Sequence, residues 1–358
     1  MIAGGLPRVS VLALLVGAAC AAASGEARGD RADSQTTLQS SGLIAFVRLQ
    51  SGAIHAMKSN GTGLRRLTPS RLRRDIEAGK WSPDGTRLAF VGRDPTAGDA
   101  PDSRDELYVI RVDGTHLVRL TRNKVADDQP SWSPDSKRIV YTSHLPSGTE
   151  LYTVNAAGRG VRRLTQIDGF DQGPAWSPDG SRIAFTYSKF PDERADIWTI
   201  APSGGSRERL TQADSGEDGF PVWSPDGTRV LFARGTYGDP TTVASGIYVV
   251  NADASGLRRL TRKADVGELS WFPNGRWIAF LGEQGLYRMK ANGSDMHRLA
   301  ADAVEYSVSP DSRKIAFTRN EDNDIYVVNA DGSRRQRLTR LRGGGYDPAI
   351  SPAWQPAP

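Results

Sequence analysis

Three short motifs recur in fixed order along the 358-residue chain, and this repetition restricts the fold more than any other feature. The first is W-S-P-D-G or a variant, starting at Trp81, Trp132, Trp176, Trp223, Trp271 and Val308, with a remnant W-Q-P at Trp354. Successive spacings are 51, 44, 47, 48, 37 and 46 residues. The second is an aliphatic–small–aromatic segment ending in Phe46, Phe90, Tyr141, Phe185, Phe232, Phe280 and Phe317. The third is R-L-T or a near variant, beginning at Arg66, Arg119, Arg163, Arg209, Arg259, Arg298 and Arg337. Each motif occurs seven times.

Each unit reads as four short strands. In S-P-D-G, Pro fixes φ, Asp bonds back to the backbone and Gly accepts positive φ, so the motif closes a tight turn. The following segment, such as Arg182-Ile183-Ala184-Phe185, alternates with period 2. A third strand such as Asp324–Val328 follows a variable connector, and Asn329-Ala330-Asp331-Gly332 turns the chain into the R-L-T strand. Four antiparallel strands make one propeller blade, and a blade buries both faces only by stacking on others. The expected fold is therefore all-β, a seven-bladed β-propeller. Its arginine-rich R-L-T strand suits a solvated outer edge, which leaves the Trp strand for the axis. The chain begins on a second strand (Leu43 to Phe46) and ends on a Trp strand (Trp354). Pairing of these two segments is expected to close the ring.

Composition narrows the function. The net charge of +5, from 46 basic and 41 acidic residues, does not indicate a nucleic-acid binder. Cys20 is the one cysteine, which excludes an intrachain disulfide and a thiolate metal cluster. The four histidines, His55, His116, His144 and His297, fall at different levels of the unit: a third strand, the flanks of two outer strands and a connector. They are not expected to converge on a metal.

Residues 1–23 carry Arg8, an apolar stretch from Val9 to Ala19 and small residues after it, the pattern of an export signal. Two processing routes are open: ordinary cleavage after Ala21-Ala22-Ala23, or a lipoprotein route in which Val16-Gly17-Ala18-Ala19-Cys20 serves as the lipobox and Cys20 is lipidated. Residues 24–41 form a polar tether, and 42–358 the propeller.

The run W-S-P-D-G-x-x-I-A-F, then I-Y-V-V-N-A-D-G and R-L-T, resembles the TolB-type, WD-like β-propeller repeat over residues 42–358. The resemblance implies an exported propeller used mainly for protein interaction. The same repeats occur in propellers joined to prolyl-peptidase-type hydrolases, but the G-x-S-x-G elbow of those enzymes is not found in this sequence. TolB itself carries an α/β domain before six blades; here a short tether precedes seven repeats.

The segments entering the Trp strands should cluster at one mouth of the channel. They bring Asp127, Asp128, Asp168, Asp171, Asp214, Glu217, Asp218, Glu268, Glu305 and Asp347. Residues 69–80 bring Arg71, Arg73, Arg74 and Lys80, and 340–353 bring Arg340 and Arg342. Closure would place the arginine-rich segments side by side, with a carboxylate arc opposite that receives a cationic segment of a partner. The competing reading makes these carboxylates ordinary loop residues or caps of backbone N–H groups.

The expected function is a monomeric, non-catalytic, protein- or peptide-binding scaffold of the bacterial cell envelope. It needs no cofactor and no metal, binds no nucleic acid, and meets the membrane only through a lipid on Cys20. Alternatives are a glycan-binding or glycan-processing propeller and a sensor or accessory module of an envelope enzyme.

Overall fold

The computed structural model describes residues 42–49, 51–69, 72, 77–93, 105–166, 169–189, 194–213, 216–235, 245–261, 266–340 and 349–357. The expected signal, tether and Cys20 lie outside these residues, as do Asp168, Asp214 and Asp347. Within them the chain is built of strands, and no helix is long and apolar enough to cross a membrane.

The strands form five four-stranded sheets and one eight-stranded sheet. Four of the four-stranded sheets run in chain order from a Trp-motif strand to an R-L-T strand, for example Glu217–Trp223, Arg229–Gly235, Gly246–Asn251 and Arg258–Thr261. The eight-stranded sheet joins two such runs. The junction is a short parallel pairing, Gly148 with Gly169 and Thr149 with Phe170. Glycine is required there: a Cβ on Gly148 (φ +142°) would stand 2.0 Å from the Gly169 carbonyl oxygen.

The remaining sheet closes the molecule. Its order is Ala349–Trp354, Leu43–Arg48, Ala53–Lys58, Arg65–Arg66, so the last strand pairs antiparallel with the first. Its edge strand Ala349–Trp354 contacts both Ala303–Val308 and Glu77–Trp81, the corresponding edges of the sheets on either side. Contacts between successive sheets continue around the molecule, so the Trp-motif strands ring the axis and the R-L-T strands lie outside.

The motifs explain the packing. All seven aromatic residues of the second motif are buried and pair in register with the third strand: Phe46 with His55, Phe90 with Tyr108, Tyr141 with Tyr152, Phe185 with Trp198, Phe232 with Tyr248, Phe280 with Tyr287 and Phe317 with Tyr326. Six of these pairs stack at centroid distances of 5.3–6.0 Å. His55 thus occupies a packing column.

The tryptophans join one sheet to the next. Each of four indole Nε1–H groups donates to the carbonyl just before the preceding sheet's motif residue: Trp132 to Lys80 (2.9 Å), Trp223 to Ala175 (3.1 Å), Trp271 to Val222 (3.3 Å) and Trp81 to Ala353 (3.0 Å). The arginine six residues after a motif tryptophan covers the next sheet's indole: Arg87 over Trp132, Arg138 over Trp176 and Arg229 over Trp271, at 4.9–5.1 Å.

The R-L-T arginines differ from expectation. They are not simply solvated edge residues; four pair with a buried acid that opens the third strand of their own sheet. The pairs are Arg119–Glu106 (2.8 Å), Arg163–Glu150, Arg209–Asp196 (2.5 Å) and Arg337–Asp324. The motif threonine completes the lock. Its hydroxyl accepts from the third-strand backbone, as Thr121 does from Leu107 at 3.0 Å. In the same sheet Thr121 also donates to Glu106 (2.6 Å). A carboxylate at this position is therefore fixed by a cation and a hydroxyl, which repays its burial.

Candidate functional site: the axial channel

The innermost strands are Glu77–Trp81, Asp127–Trp132, Gly169–Trp176, Glu217–Trp223, Val266–Trp271, Ala303–Val308 and Ala349–Trp354. Each loses register with its neighbour a few residues before the motif position. Three positions before the tryptophan, Gln129, Gly173, Phe220 and Ser351 adopt φ between +51° and +59°. This recurring bulge turns the residue out of the ladder. Side chains at that level then bridge sheets. Gln129 Oε1 accepts from the Gly173 backbone N–H (2.7 Å), and Glu305 accepts from the N–H and the hydroxyl of Ser351. Glu268 accepts from the Tyr306 N–H at 3.4 Å.

The expected carboxylate arc is divided by depth. Asp127, Asp171 and Asp218 lie five residues before their tryptophans and are 0% exposed. They do not face an open mouth; each is withdrawn into the interface with the preceding sheet. Asp218 forms two hydrogen bonds with the Arg234 guanidinium (2.5 and 2.8 Å), and burial still raises its pKa. Asp127 accepts from Asn123 Nδ2 (2.6 Å), and burial pushes it up to about 6. Burial pushes Asp171 up to about 7, against the pull of Thr165 and Arg207. Its carboxylate oxygens make no hydrogen bond of good geometry among the described residues. The three acids are thus neither solvated loop residues nor seen to cap backbone N–H groups; they are enclosed by the fold.

Asp128 is partly exposed and meets His144 Nε2 at 2.8 Å. His144 sits on the strand Arg138–Leu145 rather than in a connector, and the hydrogen bond to Asp128 raises its pKa. Glu217 is half-buried at the start of its strand. Glu268 is 8% exposed, and burial raises it, with Glu305 adding to the shift. Burial raises Glu305 as well. Among the described residues no group of three or more His, Cys, Asp or Glu side chains converges as a metal site would.

Lys80 was expected in a basic loop; it lies on an innermost strand and is half-buried. Burial lowers its pKa, and the charge of Glu268 opposes the shift. The sheets of Lys80 and Glu268 are not neighbours in the ring. Their charges nonetheless act on each other from sheets that are not adjacent. The one signal in the sequence was position: Lys80 directly precedes Trp81, where the other units carry Ser131, Ala175, Val222, Ser270, Ser307 and Ala353.

The family model for the TolB β-propeller domain matches residues 39–170 and 172–356. The chain belongs to this family. Among solved structures, this TolB-family propeller is similar to TolB from Acinetobacter baumannii, at 19% identity and a TM-score of 0.57 over 85% of this chain and 79% of that one. It is also similar to an oligogalacturonate lyase from Vibrio parahaemolyticus, at 18% identity and a TM-score of 0.61 over 83% and 84%. A puromycin hydrolase aligns at 15% identity and a TM-score of 0.63, over 85% of this chain but 53% of the hydrolase. These likenesses establish the fold. An uncharacterized peptidase of Bacillus subtilis, YuxL, is 36% identical over 69 residues, which is 19% of this chain and 10% of that protein.

Proposed function

We propose that this TolB-family propeller is an exported, non-catalytic scaffold of the cell envelope that binds a protein or peptide at one end of its axial channel. We count its strands as seven blades, the eight-stranded sheet contributing two. Residues 1–23 serve as the export signal in this reading, with Cys20 as the lipid attachment point if the lipoprotein route is used.

One observation carries the binding reading. At the end of the molecule where the innermost strands begin, Leu49, Phe170 and Val304 are 39–48% exposed. Exposed apolar side chains beside an opening, with the neighbouring acids engaged inside the fold, suit a partner's surface. The similarity to TolB agrees with a protein partner.

Affinity capture from the native envelope tests it. The variant Leu49→Ser/Phe170→Ser/Val304→Ser should lose a protein that the parent enriches, at an unchanged melting temperature. Equal enrichment by parent and variant, or none by either, would overturn the proposal. The glycan-processing alternative draws on the lyase likeness alone; release of unsaturated uronates from polygalacturonate in the presence of Mn²⁺ would establish it in place of the scaffold.

A further inference from the structure

We propose that the turn-lined end of the propeller, opposite the channel mouth, is a docking surface for an anionic lipid bilayer. The surface stands apart from the partner reading above, which concerns the other end. The sequence let the protein meet a membrane only through a lipid on Cys20; the folded chain offers a second contact.

The surface is built from turns. Because the four strands of a blade run antiparallel, the turn between its first and second strands and the turn between its third and outer strands lie at one end. In five repeats a backbone hydrogen bond seats the two turns side by side, as Val112 N–H donates to the Thr86 carbonyl (2.9 Å) and Ala330 N–H to that of Arg313 (2.7 Å). Every one of these turns spans five or six residues, so no long connector stands out from this end.

Its charge is lopsided. Counted with the residue on either side, these turns carry eighteen Lys and Arg against nine Asp and no Glu. That excess of nine is larger than the +5 of the whole chain. The aspartates serve the turns themselves: Asp113 accepts from Thr115 and Asp331 from Ser333. The bases project, with Lys58, Lys137, Arg159, Arg162, Arg258 and Arg335 all exposed. A surface of this sign is drawn to the negative potential of anionic lipids.

Apolar side chains stand among the bases. Leu64, Val161 and Leu257 are 44–55% exposed, and each directly precedes an arginine that opens the outer strand: Arg65, Arg162 and Arg258. They hold one position of the first, third and fifth repeats, two residues before the R-L-T arginine. Three separated points of the ring therefore present the same pair. An aliphatic group beside a guanidinium suits the boundary between head groups and acyl chains, where the first enters and the second stays with the phosphates. Nucleic acid is met instead by aromatic stacking platforms, and none of the three is aromatic.

The chain also joins the fold here. Leu43 pairs with Lys58, at the edge of the Ser59–Leu64 turn, so the segment carrying Val9–Ala19 and Cys20 enters from the cationic end.

Flotation of the full-length chain tests the surface, with vesicles of phosphatidylcholine alone or with about 30% phosphatidylglycerol. Residues 1–41 are common to every variant, so their share cancels. The parent should bind the anionic vesicles about tenfold more tightly, and about 0.5 M salt should remove the difference. Lys137→Glu/Arg159→Glu/Arg335→Glu should abolish that preference, whereas Arg122→Glu/Lys124→Glu/Lys189→Glu, the same charge change at the mouth end, should keep it within about twofold. Leu64→Ser/Val161→Ser/Leu257→Ser should weaken anionic-vesicle binding about tenfold. Should that variant melt early, Val161→Ser alone replaces it, with a loss of about twofold. Equal binding to both vesicles, or equal effects of the two charge reversals, would overturn the proposal. Duplex DNA or polyglutamate bound as tightly as the anionic vesicles would overturn it too, assigning the face to an acidic macromolecule. Each result is read without the envelope protein captured at the mouth, so either reading can fail alone.

Discussion

The Trp81 indole N–H donates to the Ala353 carbonyl oxygen at 3.0 Å, joining residues 272 positions apart in the chain. The bond has the same form as Trp132 to Lys80 and Trp223 to Ala175, which join sheets adjacent in sequence. The seam where the chain ends meet is thus built like the interior interfaces. Trp81→Phe should cost about 1–3 kcal/mol in urea unfolding, the same as Trp132→Phe within about 0.5 kcal/mol. A much smaller cost at Trp81 would mean that the seam is open in solution. Deletion of residues 349–358 removes the whole inner strand and should lower the melting temperature by about 10 °C or more.

Glu106 is 1% exposed and accepts hydrogen bonds from Arg119 and Thr121. Glu106→Gln keeps the shape and removes the charge that Arg119 pairs with. Chemical denaturation should show a loss of about 1–3 kcal/mol, with far-UV circular dichroism unchanged. No loss would return the R-L-T arginines to the role of solvated edge residues.

Asp171 carries a pH dependence of definite sign. Its folded pKa is raised by burial to about 7, above the unfolded value. The folded state therefore binds the proton more tightly, and the stabilisation this gives is complete below about pH 4 and lost as pH rises through about 7. Asp171→Asn should flatten the stability profile between about pH 4 and 7 and leave the variant more stable than the parent above it, by on the order of a few kcal/mol. A parallel profile in the variant would show that Asp171 is paired in solution.

His144 titrates in the opposite sense to a buried imidazole, because its bond to Asp128 outweighs desolvation. Its folded pKa is raised, so its contribution to stability is present below about 6.5 and fades as pH rises through the folded value. In an NMR titration, Asp128→Asn should bring the midpoint down toward about 6.5. An unmoved midpoint would assign the shift to Asp127 and Asp105, which also act on His144.

The sequence by itself determined the strand pattern, the turns and the aromatic column. These rest on local chemistry: period-2 alternation, and turns such as Ser177–Ser181, where the Ser177 hydroxyl and the Ser181 N–H bond Asp179 and hold its pKa below the usual carboxylate range. Closure was legible as well, since the first and last segments are halves of one repeat and now pair.

Only the tertiary structure decided what the charged residues do. Asp171 and Glu305 look alike in sequence, both lying just before a repeat marker. One is buried against the preceding sheet, and the other bonds across to Ser351 of the next. Lys80 reads as one basic residue among several until the fold half-buries it on an innermost strand, within reach of the charge of Glu268 from another repeat. The physical reason is range: alternation and turn geometry are set within a few residues, whereas solvation and pairing of a charge depend on atoms from distant repeats that meet only when the ring is closed.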